Sequence, residues 1–174
     1  MTIQIFIVGL PRTGTTFLHC LLSLDPANTA PVTWELMDPV PRYKNDLEKD
    51  ADKRIKYCKA NIDMLLSLIP HFADIHEMDA DGAEECTVLM GVDAPALVFN
   101  FHTLLSEQDE IFSWNWTEAY QNYYSGLQII QRYRSFRYGM PKTLRWFLKA
   151  PPHLGVLDHL TNSFPDTRII VLPV

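Results

Sequence analysis

The stretch that most constrains this chain is GLPRTGTTFL, Gly9 to Leu18, which follows directly on the apolar run IQIFIV. Ile3 to Val8 is short and β-branched, with Gly9, Leu10 and Pro11 closing it, as in a strand buried inside a parallel sheet. From Gly14 to Leu24, Phe17, Leu18, Leu21, Leu22 and Leu24 recur at helical spacing until Asp25-Pro26 ends the run. A loop that leaves a strand and enters a helix aims several backbone N–H groups, and the positive end of the helix dipole, at one place. Gly14 allows an anion to come close, and the hydroxyls of Thr13, Thr15 and Thr16 add donors. These residues predict a phosphate- or sulfate-binding loop, a structural turn being the plainer alternative.

The loop nearly matches Gly-x-x-x-x-Gly-Lys-Ser/Thr, but Thr15 stands in the lysine position. In nucleoside triphosphatases that lysine reaches the β- and γ-phosphates while a Ser/Thr holds magnesium. Without it, triphosphate chemistry loses its main charge clamp, and a kinase reading is disfavoured. Arg12, at the tip of the loop, is placed instead to touch one phosphate and the atom bridging it to a transferred group.

The rest of the chain reads as one α/β domain, a length of 174 residues and 47% apolar content sufficing for one ordinary core. Thr29 to Trp34 reads as a second strand despite Pro31, and Pro39-Val40-Pro41 as a loop. Asp46 to about Ile69 reads as a long amphipathic helix with Ile55, Cys58, Ile62, Leu65, Leu66 and Ile69 inward and the charge run EKDADKR on a solvated face. DADGAEECTVLM suggests another helix, with Asp81 as cap and Glu84 and Glu85 in its first turn. Thr117 to about Tyr138 is a third helix whose Tyr120, Tyr123, Tyr124, Leu127, Ile130 and Tyr133 form a core stripe. LRWFLK is a strand closed by Ala150-Pro151-Pro152; a helix over 153–163 and the strand RIIVL follow. Strands alternating with helices indicate a three-layer fold, a mostly parallel central sheet flanked by helices.

The net charge of −6 argues against a nucleic-acid partner, which calls for a basic face. Cys20, Cys58 and Cys86 have no metal-ligand spacing and read as reduced core thiols. No basic n-region precedes the first apolar run, and no segment nears the roughly 18 apolar residues of a membrane span. A cytoplasmic protein is the default expectation.

PRTGTT resembles the 5′-phosphosulfate loop of sulfotransferases, Pro-Lys/Arg-Ser/Thr-Gly-Thr-Thr/Ser. FLKAPPHLGVLDHLTNSFPDTRIIVL is similar to the Leu-Lys-Ser/Ala-Pro-x-His-Leu block of one such family, through to its Phe-Pro-Asp-Ala/Thr and next strand. WELMDPVP resembles its Trp-Glu-Leu-x-x-Pro segment. The resemblance implies a P-loop-like fold, the donor 3′-phosphoadenosine-5′-phosphosulfate and transfer of a sulfuryl group to a hydroxyl or amine without metal. It implies that Pro11, Arg12, Thr13, Gly14, Thr15 and Thr16 hold the donor.

Ligands gather at the carboxyl ends of parallel strands. Glu35 follows the second strand, and the resemblance suggests it as general base; a carboxylate that pairs with Arg12 or caps a loop is the other reading. Lys149 closes the LRWFLK strand, and its Lys-Ser/Ala-Pro motif suggests a second cation near the sulfuryl oxygens. His153 is open between helix capping and lining an acceptor pocket. His76 and Glu77 form a weaker acid-base pair. The acceptor, a small molecule or carbohydrate, would sit against the 71–116 region and C-terminal segments.

The family's Arg-Asp-Pro loop and the helix serine that hold the 3′-phosphate have no counterpart, and Arg132, Arg134 and Arg137 have no motif support as replacements. A domain incomplete at its C-terminus is therefore expected, with a catalytically impaired nucleotide-binding or interaction remnant as the alternative to an active transferase. Oligomeric state is not encoded in any motif.

Overall fold

The computed structural model describes residues 3–90, 116–141 and 144–173. Four parallel strands, β1 (Gln4–Val8), β2 (Asn28–Thr29), β3 (Arg145–Lys149) and β4 (Arg168–Val171), lie in the order β2-β3-β1-β4. Strand β1 is buried along its whole length because it is flanked on both edges and covered on both faces. Its alternation separates the layers. Phe6 and Val8, with Trp146 and Leu148 of β3, pack against α6 (Trp116–Tyr138) and α7 (Leu157–Ser163). Ile5 and Ile7, with Phe147, face Leu18 and Leu22 of α1 (Thr15–Ser23) on the other side. This is the expected three-layer α/β arrangement.

Helix α1 is inserted with a different face inward from the one its leucines suggested. Phe17, Leu21 and Leu24 are exposed, whereas Thr15 and His19 are buried and Leu18 and Leu22 are half-buried. Both sets have helical spacing, so the period alone could not select between them.

The second strand is shorter than predicted. Pro31 has no N–H to give a ladder, and the chain turns into α2 (Thr33–Met37). The Val32 N–H is taken by Glu35 Oε2 at 3.3 Å, the return arm of a capping box. Thr33 and Trp34 donate their amides to Gly82 and Ala80, which ties the start of α2 to the 80–84 segment.

Helix α3 (Leu47–Leu68) starts at Asp46, whose side chain accepts the Lys49 N–H at 3.0 Å. Its charge run is not wholly solvated: Asp50 and Arg54 are buried. Asp50 accepts the amides of Arg42 and Tyr43 at 2.7 and 2.9 Å and pairs with Arg54 Nε at 2.7 Å. The Arg54 guanidinium lies 4.5 Å from the centres of both Trp34 and Tyr133. Two charges are worth burying here because together they hold the 38–43 loop and fill a gap between α2, α3 and α6. Ile69, expected inside, is 51% exposed.

Helix α4 (Phe72–Ile75) is one turn. Helix α5 (Thr87–Met90) starts later than the acidic stretch suggested, so Asp81 caps no helix and Glu84 and Glu85 precede it. The tyrosine stripe of α6 faces the core as expected, with Tyr124 half-buried. After β3, residues Pro151–Val156 form a 3-10 segment before α7. Cys58 and Cys86 are buried thiols, but Cys20 is exposed. Among the described residues no helix is long and apolar enough to cross a membrane.

Candidate active site

The loop between β1 and α1 is shaped by two glycines. A Cβ on Gly9 would stand 3.0 Å from Thr13 Oγ1 and 3.1 Å from Thr15 Cγ2, so the loop closes over a residue that must lack a side chain. Gly14, at the helix N-cap, has φ 87° and faces open space. The Thr13 hydroxyl donates to the Leu10 carbonyl at 2.7 Å and pins the turn. Leu18 N–H is the first amide to reach back, to Gly14 O at 3.0 Å. The amides of residues 12 to 16 therefore have no partner among the described residues, as a helix start requires. Unpartnered N–H groups at a helix start, the hydroxyls of Thr15 and Thr16, and open space at Gly14 are the features that suit an anion.

Arg12 lies at the tip with φ 69°, the only non-glycine residue at positive φ among those described. It is exposed and forms no hydrogen bond or ion pair with the described residues. A guanidinium left unpaired on a strained backbone is available for a ligand.

Lys149 is drawn beneath the same loop. Its register partner in β1 is Ile7, two residues before Gly9. Alternation along β3 puts it on the Phe147 face, towards α1. The side chain is 2% exposed, and its Nζ is paired with Glu85. On α1, His19 donates its Nε2–H to the Phe147 carbonyl at 3.0 Å. Burial, with the nearby Lys149 charge, holds the His19 imidazole neutral, its pKa down to about 4.

Glu85 belongs to a wider cluster. His76 Nε2 lies 2.9 and 3.1 Å from the two oxygens of Glu84, and His76 Nδ1 is 4.0 Å from Glu85 Oε1. Glu84 is 4% exposed; its N–H donates to the Pro31 carbonyl at 3.1 Å, and its Oε1 accepts the Glu85 N–H at 2.6 Å. The hydrogen bond to Glu84 raises the His76 pKa above its ordinary value, against the effect of partial burial. Thus the acid-base partner of His76 is Glu84, eight residues on, while Glu77 is exposed beside it.

Glu35 is placed on α2, in the core rather than on an open edge. It is 2% exposed, and Arg134 binds both of its oxygens: Nε to Oε1 at 2.7 Å, and Nη2 to Oε2. Arg134 also donates to Thr29 Oγ1 at 2.5 Å and to the Ala30 carbonyl at 2.9 Å. His153 neither caps α7 nor opens to solvent. Its Nδ1 is 2.7 Å from the Tyr120 hydroxyl, its ring is edge-on to Phe6 at 5.1 Å, and burial pulls its pKa down to about 3.

The loop that carries Arg12 follows the carboxyl end of β1, and Lys149 ends the adjacent strand β3; β1 has β3 on one side and β4 on the other, a topological switch point. Missing from the sequence reading were Arg134, Glu84 as a partner and His19. A signal for Arg134 existed: it continues the buried spacing Leu127, Ile130, and a charge on such a stripe signals a buried ion pair.

The sequence model of the sulfotransferase family matches residues 4–172, essentially the whole described span. The chain belongs to that family. Among solved structures, sulfotransferase STF1 from Mycobacterium tuberculosis is 30% identical, with a TM-score of 0.69 over 100% of this chain and 46% of that one. STF9 from Mycobacterium avium, a sulfotransferase 24% identical, shares the fold with a TM-score of 0.68 over 99% of this chain and 43% of its own. The chain thus spans somewhat under half the length of these structures. No curated protein matches it. Membership of the sulfotransferase family suits a loop in which the P-loop lysine position is a threonine and the basic residue sits at the tip.

Proposed function

We propose that this chain holds the 5′-phosphosulfate end of 3′-phosphoadenosine-5′-phosphosulfate and directs its sulfuryl group to a hydroxyl or amine of a small-molecule or carbohydrate acceptor. The observation that carries the reading is the pairing of an anion cradle at residues 12 to 16 with two cations, Arg12 on the loop and Lys149 beneath it. Pro11 contributes by lacking an N–H and directing the turn; Arg12, Thr13, Gly14, Thr15 and Thr16 supply the amides and Thr15 and Thr16 the free hydroxyls. The bound donor supplies an activated sulfur–oxygen bond to a phosphate that leaves with growing negative charge.

The residues fit that charge. Amides and hydroxyls fixed by the fold need no reorganisation as it develops, which is the most effective form of electrostatic stabilisation. Arg12 is suited to the phosphate and its bridging oxygen. Lys149, once turned from Glu85, is suited to the sulfuryl oxygens. With one phosphate in the cradle, the charge clamp of triphosphate chemistry has no role. Glu35, the base suggested by sequence position, has both oxygens occupied by Arg134. In this proposal it instead keeps the β2 end and α2 in place around the site.

Transfer of radiolabelled sulfate from the donor, measured beside calorimetric binding of adenosine 3′,5′-bisphosphate, tests the reading. Binding and transfer that both fall in Arg12→Ala support it; equal activity in the variant overturns the loop assignment. Donor binding without transfer would favour the binding-remnant alternative.

A further inference from the structure

We infer that His19 is a positioning residue for sulfuryl transfer: its hydrogen bond to the Phe147 carbonyl sets how the anion-binding loop stands relative to Lys149. The inference rests on the sulfuryl-transfer reading above. The loop opens α1 and Lys149 ends β3, elements of different layers, so their relative placement has to be fixed by contacts between helix and sheet. Packing of Leu18 and Leu22 against Phe147 brings the layers together but has no preferred direction. A hydrogen bond has one.

The bond exists because β2 ends early. Along a strand in a parallel ladder, alternate residues turn both backbone groups to the same neighbour. The Arg145 N–H goes to Ala27 O at 3.2 Å on the β2 side, and the Trp146 N–H to Ile3 O at 3.1 Å on the β1 side. Phe147 and Lys149 therefore face the β2 side again. With Asn28 opposite Arg145, the N–H due at the Phe147 carbonyl belongs to residue 31, a proline, which has none. His19, 1% exposed, fills that place from α1. The Cys86 N–H takes the next one, Lys149 O, at 2.9 Å.

Both halves of the donor site are referred to this one contact. Gly14 lies five residues before His19, about 7.5 Å along a helix, and Lys149 two residues after Phe147, about 6.5 Å along a strand. Helix α1 starts at the carboxyl edge of the sheet and β3 ends there, so both distances lead to the same edge. One turn further along α1, Asn28 Nδ2–H donates to Leu22 O at 2.8 Å, which fastens the helix to β2. His19 fastens it to the strand that carries Lys149.

The test compares His19→Leu, apolar and of similar size, with His19→Gln, whose Nε2–H stands as many bonds from the backbone as that of histidine. Transfer of labelled sulfate and calorimetric affinity for adenosine 3′,5′-bisphosphate are measured for each. His19→Leu is expected to lower the rate about 10- to 10²-fold, the scale of a misplacement near 1 Å. Affinity should stay within about twofold, since the loop is closed by its own residues, and His19→Gln should recover most of the rate. In a Lys149→Met background the same His19→Leu change should cost about twofold or less, because a residue acting through Lys149 has nothing left to place. Rate and affinity falling together, or an equal loss with and without Lys149, overturns the inference. If His19→Leu does not fold, His19→Asn, whose amide stops one carbon short of the carbonyl, carries the same comparison in both backgrounds. If the unaltered chain transfers no sulfate, the parent reading fails separately and amide hydrogen exchange decides the positioning. Faster exchange of the Cys86 N–H in His19→Leu, restored in His19→Gln and with the Leu172 N–H unchanged, supports it; equal exchange at Cys86 overturns it.

Discussion

Arg134 grips both carboxylate oxygens of Glu35 from 99 residues further along the chain, and neither side chain is more than 7% exposed. The same guanidinium holds Thr29 and Ala30, so one residue of α6 fastens the end of β2 to the start of α2. Removing one member of a buried pair strands the other charge. Glu35→Gln and Arg134→Met are each expected to destabilise by about 3–5 kcal/mol, read from urea midpoints. The double variant should lose less than the sum, because no isolated charge remains.

Arg12 couples strain to ligand binding. Its φ of 69° costs a non-glycine residue about 1–2 kcal/mol. Arg12→Gly should therefore unfold at an equal or higher temperature than the unaltered chain, yet bind adenosine 3′,5′-bisphosphate about 10- to 100-fold more weakly, the loss of one charge-assisted hydrogen bond. Arg12→Ala should share the weak binding without the stability gain. Calorimetry and thermal melts on the two variants separate these effects.

Lys149 is expected to act on turnover more than on donor affinity. In Lys149→Met the rate of sulfuryl transfer should fall about 10²- to 10³-fold, the scale for one electrostatic donor to a transition state. Bisphosphate affinity should change little, since the cradle is built from backbone. Lys149→Arg, which retains charge, should recover part of the rate. A variant with unchanged rate would remove Lys149 from the mechanism.

The histidines predict opposite pH dependences. His19 and His153 have folded pKa values of about 4 and about 3, against 6.5 when unfolded. Between those values and 6.5 the unfolded chain binds protons that the folded one refuses, so stability falls as pH drops, by up to about 1.4 kcal/mol per pH unit for each group. His76 is shifted the other way, by Glu84 and Glu85 against burial and Lys149. Its contribution is complete below pH 6.5 and is lost as pH rises through its higher folded value. Urea unfolding across pH 4.5 to 8 should show a shallower acid-side slope in His19→Asn and a shallower alkaline-side loss in His76→Gln. Parallel curves for variant and unaltered chain would contradict the burial of His19 or the pairing of His76.

The glycine loop shows how much of the site was local information. Gly9, Arg12, Gly14 and the threonines lie within a few residues of one another, and the turn they make follows from steric freedom and an unsatisfied helix start. Other features were ambiguous for a stated reason. Two faces of α1 satisfy one period, and only the sheet selects Thr15, Leu18, His19 and Leu22 for burial. The run EKDADKR is charged enough for solvent, but a loop with free amides and two aromatic rings made burial of Asp50 and Arg54 favourable.

The sequence by itself determined the strand, loop and helix that open the domain, the parallel α/β layering and the core stripe of α6, since each depends on spacing along one segment. The partners of the charged groups were decided by tertiary structure. Arg134 for Glu35, Glu84 for His76 and Glu85 for Lys149 are separated by 99, 8 and 64 residues. Charge acts through space, and which opposite charge a side chain meets depends on how the elements pack.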